Sequence, residues 1–369
     1  AGLSQDDADR ITSDVERFLK TLKLEYLSAP LIREIVCVKM LEMGFEEGRR
    51  KYARLGMPVW DIGRIIGVHD RENANLLYSP ETIHKRFGDS ILKEYTLVNL
   101  LPHHVSDAHI DGKIHIGDLD YFPTRPFCQD WDLRYFLKYG LKVDGTGKHT
   151  SASGPAKHAE VAVLHAAKIL AAAQTCWNGG QGFDNFNIWL APYVVGYSDK
   201  QISQLVQMFL YEMNMMYVAR GSQPVFSSIS LEAGIPGFIA ELPAILPGGK
   251  TNGDTYGDYV GEAQKIFSMF MDAYMQGDAM GKQFDFPKPE IKIRRAFLND
   301  PDSSELYRKA AALSAKFGGS YYLNLAAPYM PEMCCAQCCS YFMAADKQDA
   351  EDLRRGTLNV GPLRVGPDN

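Results

Sequence analysis

Between residues 5 and 55 the apolar positions recur at helical spacing. Val15, Phe18, Leu19 and Leu22 follow Ser13, and Leu31, Ile32, Ile35, Val36, Val38, Met40 and Leu41 follow Ala29-Pro30. Apolar residues three and four apart mark one buried helix face. A proline in the first turn lacks only an N–H that would have no partner there. Gly44 is placed to end the second helix, and the charged run 46–54 predicts a third helix or a turn. We expect a small helical module, residues 1–56, joined near Gly56-Met57-Pro58 to a main body of residues 57–369.

In the main body helical and alternating patterns take turns. Residues 114–120 (IHIGDLD) alternate like a strand between Asp111-Gly112 and Pro123. An Ala-rich helix is expected over 155–176, closed by Gly179-Gly180, and another over 199–218, where Ser198 and Gln201 stand at capping-box spacing. Residues 225–231 (VFSSISL) predict a strand with Val225, Ser227, Ile229 and Leu231 on one face. A helix over 256–276, a Pro- and Lys-rich connection, a helix around 304–317 and a strand over 321–325 complete the pattern. Strands separated by long helices imply parallel β-α units, hence an α/β barrel or an open sheet.

Composition narrows the function classes. The net charge of −6 gives no global basic field, so no nucleic-acid partner is expected. No window approaches 18 uninterrupted apolar residues, and the first ten residues are polar and acidic, so neither a membrane span nor a signal peptide is expected. Four of the seven cysteines fall within six positions, unlike a secreted disulfide framework, and a reducing cytoplasmic setting follows.

That cluster, Cys334-Cys335-Ala336-Gln337-Cys338-Cys339, is the strongest local feature. It could serve redox or radical chemistry, complete a metal site with Cys37, Cys128 or Cys176, or be buried thiols acting as small hydrophobes. Following a strand and Pro328 and Pro331, it is expected in a loop. Cys128, in Arg125-Pro126-Phe127-Cys128, could pair with it to supply two electrons and finish as a disulfide. His103, His104, His109 and His115 crowd together without a zinc spacing, so substrate contact or structural roles are expected and no metal. The turns Gly145-Thr146-Gly147, Gly179-Gly180-Gln181-Gly182 and Gly248-Gly249 invite a phosphate without matching a known cradle. Ser151 and Ser153 precede the 155–176 helix, whose N-terminal amides could hold an anion. Ser227, Ser228 and Ser230, on a buried strand, would leave room for a ligand.

The stretch from His109 through Gly112, His115, Asp118 and Phe122 to Arg125-Pro126-Phe127-Cys128 resembles a block of the anaerobic (class III) ribonucleoside-triphosphate reductases. Residues 141–156, 219–232, 178–181 and 313–325 resemble further blocks in the same order, and the resemblance covers roughly residues 60–345. Residues 27–55 resemble the later part of the family's ATP cone. The resemblance implies the glycyl-radical-enzyme fold, a ten-stranded α/β barrel of two half-barrels with a finger loop through its centre. The first half-barrel and the finger loop would lie in this chain. Cys335 or Cys338 would carry the thiyl radical and Cys128 would be the partner thiol. His109, His115, Ser151, Ser153, Ser227 and Ser228 would contact substrate.

The resemblance further implies reduction of ribonucleoside triphosphates, with Mg2+ accompanying the nucleotide and ATP or dNTP effectors. It implies a radical-SAM iron–sulfur activating enzyme, formate or a thioredoxin/glutaredoxin-type reductant, and a homodimer. The glycyl radical would reside on a segment outside this chain. Gly117 stands where the family's second histidine is expected, and Ser-Gln-Pro-Val-Phe (222–226) rearranges a key block. Two other readings stay open: a catalytically silent nucleotide-binding or regulatory homologue, and a glycyl-radical enzyme for another small molecule.

Overall fold

The computed structural model describes residues 2–24, 27–67, 78–217, 221–337 and 341–344. The chain divides into two compact units, Ala1–Ile62 and Gly63–Asn369.

In the first unit, α1 (Gln5–Thr21) starts well before Ser13. Its cap is Ser4, whose hydroxyl accepts the Asp7 amide at 3.1 Å. In α2 (Ala29–Glu42), Pro30 occupies the first turn behind the cap Ser28, and α3 (Glu46–Tyr52) follows. Ile11, Val15, Ile35 and Met40 form the core. The expected stripe on α2 is too broad: Val38 and Leu41 lie on the opposite side and are each 51% exposed.

The second unit includes α5 (Pro80–Tyr95), which continues as a π-helical turn, and α6 (His103–Ile110); α4 (Val59–Gly67) precedes them. The strand expected over 114–120 is absent. The segment is a run of turns in which Asp118 accepts the amides of Tyr121 and Phe122 and adopts a left-handed φ of 51°. Alternation alone gives no strand where no neighbouring strand takes the backbone groups.

Five short strands then alternate with helices. They are β1 (Gln129–Trp131), β4 (Gln181–Phe183), β5 (Ser227–Glu232), β6 (Lys288–Ile293) and β7 (Tyr321–Asn324), all parallel in the order β1-β4-β5-β6-β7. Between β1 and β4 lie α7 (Leu133–Tyr139), a small antiparallel pair β2 (Leu141–Lys142) and β3 (Ala152–Ser153), and α8 (Ala159–Cys176). The later connections carry α9 (Phe186–Leu190) and α10 (Asp199–Met215), α11 (Gly237–Ala240) and α12 (Val260–Gln276), and α13 (Arg295–Leu298) and α14 (Pro301–Phe317). The Ser198–Gln201 capping box opens α10 as its sequence predicts. The Pro- and Lys-rich connection is itself β6, a correction. Likewise α8 begins at Ala159, not at 155, because residues 152–153 are paired with 141–142.

Side chains alternate across a strand. Trp131, Phe183, Ile229, Leu231 and Ile291 share one core cluster with the buried residues of α8, α10, α12 and α14. Phe186 anchors it, stacked on Phe183 and Phe209 and edge-on to Phe270, with ring centroids 5.8, 4.9 and 5.9 Å away. This is a mixed α/β fold on a parallel sheet with its helices packed to one apolar face. The cysteine segment is a hairpin, not the expected loop. β8 (Cys334–Gln337) pairs antiparallel with β9 (Tyr341–Ala344), Cys335 opposite Met343, and the aromatic residues of the return strand favour a pleated ladder. No helix of the described residues is long and apolar enough to cross a membrane.

Candidate active site

The other face of the sheet is polar. Register aligns Asp130, Gly182, Ser228 and Lys288 in one row, Ser230, Glu290 and Tyr321 in the next, and Glu232, Lys292 and Leu323 in a third. Gly182 has to be small, since a Cβ there would lie 2.0 Å from Asp130 Oδ1 and 2.8 Å from Ser228 Oγ.

At the carboxyl ends of these strands the charges interlock. Lys292 Nζ donates to Asp184 Oδ2 at 2.8 Å and to Asn185 Oδ1 at 3.0 Å, although its side chain is only 1% exposed. Ser230 Oγ donates to Asp184 at 2.6 Å and accepts the Asn185 amide at 2.7 Å, which holds Asn185 at a φ of 54°. Asparagine is among the few residues that tolerate that region. Arg294 Nε lies 3.0 Å from both Glu232 oxygens and Nη2 lies 2.7 Å from Oε1, a forked pair. Burial pushes the Glu232 carboxyl up, against the pull of Arg294 and Lys292. Burial also pushes Glu290 up to about 7, with Lys288 Nζ, 2.9 Å away, opposing it.

The cysteine hairpin meets this network. Arg294 Nη1 donates to the Glu332 carbonyl at 2.8 Å, and the buried Cys334 follows two residues later. Burial pushes the Cys334 thiol up; Lys292 and Arg294 draw it down, and Asp184 adds to the rise. Cys128 lies at the other end of the sheet, just before β1. It is buried against Gly179, where a Cβ would come 2.1 Å from its sulfur. The amides of Asn178 and Gly179 donate to the carbonyls of Pro126 and Phe127, so the NGGQ segment is tied to the Arg-Pro-Phe-Cys segment just ahead of the β1–β4 ladder. Cys335 pairs through its backbone in β8, and Cys338 lies outside the described residues.

Other expected site residues are placed apart. His109 and His115 do come together, ring centroids 5.6 Å apart, and His109 Nδ1 accepts the Ile116 amide at 3.1 Å. Ser227 and Ser228 point to opposite faces, and the Ser227 hydroxyl donates to the Val225 carbonyl at 3.0 Å. Only Ser228 can line the polar face. Ser151 and Ser153 do not precede the first turn of α8, which is capped at His158; Ser153 belongs to β3. The Gly145-Thr146-Gly147 turn is already filled. The Asp144 carboxylate accepts the amides of Thr146, Gly147, His149 and Thr150, which holds it far below the usual carboxylate range and repels a second anion. No group of three or more metal-ligating side chains occurs among the described residues.

Asp184, Glu232, Glu290, Lys292 and Arg294 were not anticipated. The available signal was Lys-Pro-Glu-Ile-Lys-Ile-Arg (288–294), in which charged and apolar residues strictly alternate around one proline.

The family model for the anaerobic ribonucleoside-triphosphate reductase matches residues 72–365. The chain belongs to that family. The phage T4 anaerobic ribonucleoside-triphosphate reductase is 27% identical over 169 residues, covering 39% of this chain and 27% of that protein. The Escherichia coli K12 reductase is 28% identical over 159 residues, 36% of this chain and 22% of its own length. The chain thus spans about a quarter of the length of these reductases. A Thermotoga maritima anaerobic ribonucleotide reductase with MES in its active site superposes with a TM-score of 0.53 at 15% identity, over 82% of this chain and 51% of that one. It shares the fold. The same Thermotoga enzyme with dATP bound in its specificity site gives 0.48 at 15% identity, over 87% of this chain and 51% of that one.

Proposed function

We propose that this chain is the thiol-bearing part of a reductase that converts ribonucleoside triphosphates to deoxyribonucleoside triphosphates. The observation that carries the reading is the base of the cysteine hairpin, tied to Arg294 at the polar face of the parallel sheet, with its first thiol buried near Lys292, Asp184 and Arg294. Family membership supports nucleotides as the substrate class.

In this reading Cys335 or Cys338 is the radical-bearing sulfur and takes the ribose 3′ hydrogen as an atom. The 2′ hydroxyl then departs as water with a proton from Cys128, two electrons and one further proton reduce the sugar radical, and the same sulfur returns its hydrogen atom to C3′, which recovers both the deoxyribose and the thiyl radical. Cys128 is the partner thiol that supplies a proton and, with a second thiol or formate, the electrons. A glycyl radical supplies the unpaired electron by taking the hydrogen of the Cys335 or Cys338 thiol. Closure of the polar face against water protects the sulfur radical. Ser228, on the polar face, holds a polar group of the substrate, and the paired His109 and His115 are assigned to substrate contact only through the family resemblance. Nucleotide effectors, Mg2+ on the triphosphate, an iron–sulfur activating enzyme and a second copy of the chain complete the proposed assembly.

The test is deoxynucleotide formation by the complete activated assembly. Cys335→Ser, Cys338→Ser and Cys128→Ser are each compared with the unaltered chain. Loss of turnover at Cys128 and at one of the two hairpin positions is expected. Full turnover in Cys128→Ser and in the Cys335/Cys338 double variant overturns the reading, and tight nucleotide binding with no turnover in the unaltered assembly favours a silent homologue.

A further inference from the structure

Arg294 has more fixed contacts than an ion pair requires. Its guanidinium spends Nε and Nη2 on Glu232. Its backbone amide donates to Tyr307 Oη at 3.2 Å, and that hydroxyl donates onward to the Lys292 carbonyl at 3.1 Å. The Phe238 ring lies 5.3 Å from Cζ. With Nε, Nη2 and one face of the guanidinium fixed and its backbone held, Nη1 is left aimed at the Glu332 carbonyl at 2.8 Å.

That carbonyl belongs to the bend that leads into β8. Met333 packs on the helical core, and Cys334 is buried. A carbonyl fixed two residues ahead of a thiol sets where β8 leaves the sheet and so where Cys334 lies, whatever register the turn gives the hairpin. The fork matters because only a guanidinium can bind a carboxylate with two nitrogens and still donate a third bond in the same plane.

We propose that Arg294, oriented by Glu232, is a positioning residue that anchors the base of the cysteine hairpin and thereby sets the placement of its first thiol, Cys334. This deepens the reading of that hairpin as the radical-bearing element and rests on it for its consequence, not for its test. Anchoring is read from thiol accessibility, without any turnover.

The experiment is iodoacetamide alkylation of the native full chain, resolved by site with fragment-ion mass spectrometry, from about pH 7 to 9, where thiolate supply is varied independently of opening. Loss of a charge-assisted hydrogen bond should open the hairpin base, so Arg294→Gln is expected to alkylate Cys334 about ten- to a hundredfold faster across that range. Cys128, at the far end of the sheet, is the internal control and should keep its rate. Equal acceleration at Cys128 and Cys334 means general loosening and overturns the proposal, as does an unchanged Cys334 rate. Arg294→Lys should resemble Arg294→Gln; a wild-type Cys334 rate there means charge alone acts, and the fork is overturned. If the single variants do not fold, the double variant Glu232→Gln/Arg294→Gln leaves no unpaired charge and should still expose Cys334. A protected Cys334 in that variant refutes the anchor.

Discussion

The contact between Gly179 and Cys128 allows a double-mutant cycle. Gly179 does not have a left-handed φ, so alanine is conformationally allowed there and would by itself stabilise the chain by about 0.4–1 kcal/mol through the unfolded state. Space opposes it. The new methyl would lie 2.1 Å from Cys128 Sγ and 3.2 Å from the Phe127 carbonyl. Neither strand can back away freely. Gly179 N donates to Phe127 at 2.7 Å, Asn178 N to Pro126 at 2.9 Å, and Gln174 Nε2 to the Gly179 carbonyl at 2.9 Å. Overpacking of this kind costs about 1–3 kcal/mol, so Gly179→Ala should be net destabilising. Cys128→Ala removes a buried sulfur and costs about 1 kcal/mol. In the double variant the methyl enters the space the sulfur leaves, so the loss should be close to that of Cys128→Ala alone, a coupling of about 1–2 kcal/mol. Urea unfolding followed by tryptophan fluorescence suits the site, because Trp131 and Trp177 pack edge to face 5.1 Å apart beside it. With an m-value of about 4 kcal/mol/M, a 2 kcal/mol loss moves the midpoint by about 0.5 M. Additive losses would refute the claim that the sulfur is what excludes a side chain from position 179.

Three further outcomes follow from single sites. Phe186→Ala opens the centre of the aromatic cluster and should cost about 3–5 kcal/mol in the same urea assay; a loss below about 1 kcal/mol contradicts its placement. Glu290 holds its proton in the folded state up to about pH 7 against an ordinary value of 4.5, so its contribution to stability is fully present below 4.5 and is lost as pH rises through about 7. Glu290→Gln should therefore flatten the pH dependence of the unfolding free energy across that window, and an unaltered slope counts against it. Asp144→Ala frees four backbone amides, and hydrogen exchange at Thr146, Gly147, His149 and Thr150 should accelerate while the α8 amides keep their protection.

Where one face of an element meets water, its limits were legible. Helix α10 has its apolar positions on one side and a Ser198–Gln201 box at its start, and both survive in the structure. The short strands were opaque for the opposite reason. β1 and β4 have three residues each, all buried, so neither has the length or a solvent-facing side to set a period. Residues 114–120 have the period without the neighbour, and pairing, not alternation, makes a strand. In β6 the period is present but both of its sides are enclosed, Ile291 in the helical core and Glu290 and Lys292 on the buried polar face.

The same enclosure explains what was readable of the site. Thiols declare their chemistry locally, so the cysteine cluster and Cys128 stood out. Their surroundings did not, because Asp184, Glu232 and Lys292 are separated by dozens of residues and meet only through strand register. Asp184, Glu232 and Glu290 balance Lys288, Lys292 and Arg294, so the cluster leaves no trace in the net charge of −6. Nor is stability a sufficient reason for it. Burying ion pairs costs about as much desolvation as their attraction returns, and well-packed apolar residues commonly do as well. What six interlocked charges add over an apolar layer is direction: each fixes a partner's angle, and one spare guanidinium nitrogen carries that alignment to the backbone beneath Cys334. A sheet interior that served only as packing would have no use for that nitrogen.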